Sequence, residues 1–127
     1  MSGLVESSAD ARSKTIGQNY RCRAWVNFDG IGSISIHGSG NVSSVTDNGT
    51  GDFTVNFATA MEDNDYACLI TSVNRSASSA KGYTIGYYST DSVNAVGYNT
   101  SSIRLTAKYA DAATPFDLDP FSVAIFR

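Results

Sequence analysis

The chain has 127 residues, a net charge of −3 and only 17% charged side chains against 42% hydrophobic ones. That size permits one real core without metal or disulfide staples. The low charge excludes a heavily solvated helical protein, and no basic stripe interleaves with aromatics as a nucleic-acid surface would require. Nothing approaches the roughly 18 consecutive apolar residues of a membrane helix. The opening MSGLVESS also lacks the apolar stretch of a secretion signal, so membrane insertion and export by that route are not expected.

In chain order, residues 1–19 carry no convincing core pattern, with at most a weak helical tendency over 4–13. They hold Arg12 and Lys14, and with Arg21 and Arg23 they give residues 1–23 a local balance of +2, while residues 24–127 balance to −5. The sequence then predicts strands at 20–28, 33–37, 41–46, 52–58, 65–73, 82–88, 93–98, 102–109 and 121–126, separated by turn clusters at roughly the 8–12 residue spacing of a sandwich or barrel. Cys22, Ala24, Val26 and Phe28 alternate with Arg21, Arg23, Trp25 and Asn27, and Ile103, Leu105, Ala107 and Tyr109 form a second alternating face. Asp47, Asn48 and Gly49, flanked by Val42, Val45, Phe53, Val55 and Phe57, form a hairpin signal, because Asn-Gly accepts the positive φ of tight turns. Pro115 and Pro120 both fall in a loop over 111–120, outside every predicted strand. The expected scaffold comprises Trp25, Phe28, Phe53, Val55, Phe57, Leu69, Ile85, Leu105, Ile125 and Phe126. The fold class is all-β: an antiparallel β-sandwich of jelly-roll type over residues 20–127, behind a short N-terminal arm over residues 1–19.

Catalytic patterns fail one by one. His37 is the single histidine, at a strand end, with no nucleophile motif nearby; no serine sits in GxSxG and neither cysteine lies in a recognisable motif. Glu62, Asp63 and Asp65 lack the glycine and distal glutamate of a helical calcium loop, and Asp117 and Asp119 likewise read as a solvated turn. No catalytic residue, metal site or cofactor is expected. Cys22 and Cys68 read as two buried, reduced thiols. The sequons at Asn41, Asn48, Asn74 and Asn99 follow from a composition rich in Asn, Ser and Thr. Tyr83, Tyr87, Tyr88 and Tyr98 bracket the polar stretch STDSVNA and are candidates for a host-surface or subunit contact, since tyrosine joins a rigid face to a hydrogen-bonding tip.

The words CRAWVNFDG (22–30), SGNVSSVTDNGTGDFTVNF (39–57), NDYA (64–67) and SVAIFR (122–127) carry a resemblance. Together they make the chain similar to the small β domain at or near the C-terminal end of tail-fibre-like and other virion proteins of tailed phages, of the marine phage and cyanophage type. The resemblance implies a non-enzymatic virion protein made in the bacterial cytoplasm, a homotrimeric tail fibre or fibre tip taking part in host recognition. Its partners would be its own copies, other tail or capsid proteins, and a host cell-surface glycan or protein. The arm would anchor it to the particle, with Leu4 and Val5 in a neighbouring groove and Arg12 and Lys14 on carboxylates. The alternative it leaves open is a capsid decoration (cement) protein, favoured by a free-standing chain without a long shaft. A depolymerase-like enzyme is disfavoured by the missing acid/base constellation.

Overall fold

In a computed structural model, residues 21–72, 83–87, 97–109 and 115–127 are described, with 83–87 and 109 described at the level of the backbone. They form eight strands: β1 (Cys22–Asp29), β2 (Ser35–Gly40), β3 (Val42–Gly49), β4 (Asp52–Phe57), β5 (Ala67–Ser72), β6 (Tyr83–Tyr87), β7 (Ser102–Tyr109) and β8 (Phe121–Phe126). Two four-stranded antiparallel sheets, ordered β2-β1-β8-β5 and β3-β4-β7-β6, pack face to face. The all-β sandwich reading holds. The jelly-roll form is not confirmed: β1 lies beside β8, but the β1–β2, β3–β4 and β6–β7 ladders each join strands consecutive in sequence. The expected strand over 93–98 lies largely outside the described residues, where only Tyr98 is seen, bridging to Ile103.

Period-2 alternation builds the core. Ala24, Val26 and Phe28 of β1, Phe53, Val55 and Phe57 of β4, Ile103, Leu105 and Ala107 of β7, and Phe121, Val123 and Ile125 of β8 are all buried. Phe28 and Phe121 from one sheet meet Phe53 from the other at centroid distances of 5.3 and 5.7 Å, and Phe28 meets Phe53 edge-on at 5.3 Å. Further along, Phe57 packs against Tyr66, whose hydroxyl donates to the carbonyls of Asn99 (2.9 Å) and Ser102 (3.3 Å).

The same alternation corrects three sequence expectations. Trp25 (46% exposed) and Leu69 (56%) lie outside the core, and Phe126 is only partly buried. Each sits next to an inward residue, Val26, Ile70 and Ile125 respectively, and neighbours in a strand face opposite ways. Side-chain size favoured the core; strand parity overrode it. Cys22 has the inward parity of Ala24 and Val26, but the β1–β8 ladder slips between Cys22 and Ala24 and sets it opposite outward Phe126; it is exposed, and only Cys68 of the two thiols packs against the core. The Ile85 side chain lies outside the described residues.

Strand irregularities aim particular side chains. Val42 and Val45 are three apart, yet both pack on the core, because the ladder slips between Val42 and Ser44. The β1–β2 ladder skips His37, which pairs with no β1 residue and reaches Asp119 instead. The β3–β4 connection turns at Thr50 and Gly51, two residues beyond the Asn48-Gly49 signal, with Gly51 at φ +64°. A Cβ on Gly51 would collide with the Ala107 carbonyl oxygen and the Phe116 backbone, so glycine is required twice over. Asn41 (φ +53°) makes the crossing from β2 to β3: its amide donates to the carbonyls of Arg23 (2.9 Å) and Thr59 (3.1 Å), and its side-chain oxygen accepts from the Thr59 N–H (2.7 Å). This sequon position is thus a clamp between the sheets.

Candidate functional site

The outer faces of the two sheets differ. On the β3-β4-β7 side the outward residues form a polar web. Asn56 donates to Ser44 and Thr46 (both 3.0 Å), Asn48 donates to Thr54 (2.7 Å), and Arg104 grips both oxygens of Asp52 (2.8 and 2.7 Å). The Arg104 hydrogen bonds hold the Asp52 carboxyl below its ordinary value of 3.8. Such a face satisfies its own polar groups and keeps water as its neighbour.

The opposite face is different in kind. Strand register sets Gly40, Trp25, Ala124 and Leu69 in one row across β2, β1, β8 and β5, and Gly38, Asn27, Ser122 and Thr71 in the next. Neither row holds a charge. The Trp25 indole lies across β2 because Gly38 and Gly40 have no side chains there; a Cβ on Gly40 would strike the indole nitrogen. The strand composition SIHGSG therefore makes a bed for an aromatic ring. Between Trp25 and Leu69, small Ala124 leaves an open depression of about 430 Å³, and Phe126 continues the face at the next outward position of β8. Asn27 donates to the Ser122 hydroxyl (2.8 Å), so the row beside the apolar one is already tied down. An aromatic ring pinned beside an uncharged, partly apolar surface suits contact with another macromolecule.

A second concavity, of about 560 Å³, lies at one end of the sandwich and is lined by Arg21, Arg23, Arg127, Asn41 and Glu62 among others. Two of its three arginines are engaged. Arg127 binds both oxygens of Asp63 (3.0 and 2.6 Å), lowering the Asp63 pKa, and Arg23 donates to the Arg127 main-chain oxygen (2.9 Å). Asp63, read from the sequence as part of a solvated turn, is therefore the lock on the end of β8. Asp117 has a comparable task, accepting from the Gly51 N–H at 2.8 Å.

Of the residues singled out by sequence, Leu4, Val5, Arg12, Lys14 and Tyr88 lie outside the described residues. Tyr83 and Tyr87 sit on β6 in register with Tyr109 and Leu105, and their side chains are likewise not described. Tyr98 is partly buried and stacks on Tyr66 at 4.9 Å, packed against the core. His37 Nε2 lies 3.3 Å from Asp119 Oδ1. Among the described residues no group of three or more His, Cys, Asp or Glu could hold a metal, and no helix is long and apolar enough to cross a membrane. Sequence reasoning missed Trp25, Ala124 and Leu69 as surface residues. The signal was present in β1, where Trp25 stands in phase with Arg23 and Asn27. No family model matches the chain, and no curated protein or solved structure does.

Proposed function

We propose that the chain is a non-enzymatic structural protein of a tailed-phage virion, a homotrimeric tail-fibre or fibre-tip protein that takes part in host recognition. The observation that carries the reading is the contrast between the two outer faces: one an uncharged surface with a pinned tryptophan, the other a self-satisfied polar web. A building block needs one face for its neighbours and another for solvent. The resemblance of 22–30, 39–57, 64–67 and 122–127 to virion β domains supplies the setting. The Trp25–Leu69 face supplies a means of assembly.

Purified protein added to host cells tests the reading. It should compete with phage for adsorption, and antibody-labelled particles should carry it on the tail. Normal adsorption, with capsids that lose heat or dilution resistance when the protein is missing, would overturn the fibre reading in favour of capsid decoration.

A further inference from the structure

We infer that the Trp25–Ala124–Leu69 row is where a second copy of this chain docks, with Leu69 at the β5 edge of one copy lying on the Trp25–Ala124 surface of the next. The inference rests on the self-assembly part of the proposed function and names its surface. Four features point to another copy as the occupant. The molecule carries a net charge of −3, so like copies repel except where they meet through an uncharged surface, and the two central rows of this sheet contain no charge. In shape the row runs large, small, large: Trp25, Ala124, Leu69, with the depression over Ala124 open to receive a leucine from outside. Trp25 is already fixed on the Gly38–Gly40 bed, so little side-chain freedom is lost when it is covered.

The fourth feature is the edge itself. Among the described strands β5 pairs with β8 alone, and its residues, Ala67–Ser72, include no charge and no proline. Edge strands without charge or proline accept a neighbouring chain readily. A head-to-tail contact, with Leu69 of each copy on the Trp25–Ala124 surface of the next, closes into a three-membered ring when successive copies are rotated by a third of a turn, the arrangement of the proposed function.

The full-length protein in solution provides the test. Sedimentation of the unaltered chain at micromolar concentration should give a trimer. Leu69→Glu and Ala124→Arg should each reduce it to monomer, with circular dichroism and thermal melting like the parent, whereas Ser44→Glu on the polar face should leave the trimer intact. Trp25 is the only tryptophan, so its fluorescence needs no substitution. Emission should be blue-shifted in the assembly and move to the red as dilution dissociates it. A trimer that survives both face variants, or whose tryptophan emits as in water, overturns the docking surface and leaves self-assembly standing. A monomeric parent overturns both. A monomeric parent whose Leu69→Glu variant no longer joins the particle assigns the face to a carrier protein, and again overturns the inference.

Discussion

Phe53 stands where the two sheets meet, fully buried between Phe28 and Phe121, and no smaller side chain can keep those ring contacts. Phe53→Ala should lower stability by about 3–5 kcal/mol in denaturant unfolding, and a loss under about 1 kcal/mol would mean that the core closes without it. Gly51→Ala is smaller in chemistry but strained in two ways, by a φ of +64° and by backbone atoms where the methyl would go. Its expected penalty exceeds about 1 kcal/mol, read in the same measurement. The two thiols should part company as well. Burial pushes the Cys68 thiol up to about 12, so at mildly alkaline pH it stays protonated and unreactive, while Cys22 is exposed. A thiol reagent should label Cys22 in the folded protein and Cys68 only after unfolding; equal labelling rates would contradict the packing of Cys68 against the core. Parity was readable for Trp25, which was misjudged because residue type was weighed above position in the strand; Cys22 turns outward only because the β1–β8 ladder slips beside it, which no local pattern shows.

At the level of elements, six of the eight strands lie within two residues of the spans read from sequence, because each carries a clear alternation. The exceptions are β3, which runs on to Gly49, and β2, which runs to Gly40 although it holds two glycines that argue against a strand. What holds β2 there is a tertiary contact, the Trp25 ring over the missing side chains, which no local pattern announces. The β3–β4 hairpin was legible, yet its turn moved to Thr50-Gly51, where Asp117 from a distant loop binds the Gly51 N–H. The Asp52–Arg104 pair that fastens β4 to β7 was equally invisible, since 52 residues separate its members. Its sign is definite. Arg104 depresses the Asp52 pKa in the folded state, so the pair stabilises the protein above the unfolded carboxyl value of 3.8, and that contribution fades as pH falls through the lower folded value. The melting temperature should therefore drop below about pH 4. Asp52→Asn should remove part of that drop and lower the melting temperature at neutral pH; an unchanged acid limb in the variant would show that the pair does not couple to folding.

For the molecule as a whole, the class of fold was within reach of the sequence and the strand order was not. Alternation identifies strands and their inward faces, but it is silent on which strand lies beside which, and the pairing of β1 with β8 spans almost the entire described chain. The contact surface was hidden for a related reason: Trp25, Ala124 and Leu69 come from three strands and form a row only once the order β1-β8-β5 exists. The ladders begin at Cys22, just after Arg21 accepts a hydrogen bond from Arg127, so removing residues 1–19 should leave a sandwich with native circular dichroism and cooperative melting. A truncated chain that fails to fold would move the domain boundary upstream. The position of β8 bears on how the protein comes into being. It is made after the seven other described strands, yet it sits inside its sheet between β1 and β5, contributing Phe121, Val123 and Ile125 to the core. On the ribosome, every earlier strand must wait with half its interior uncovered until residues 121–126 clear the exit tunnel. A stop codon just before Phe121 should consequently yield, in place of a slightly shorter domain, an aggregation-prone chain fit only for degradation.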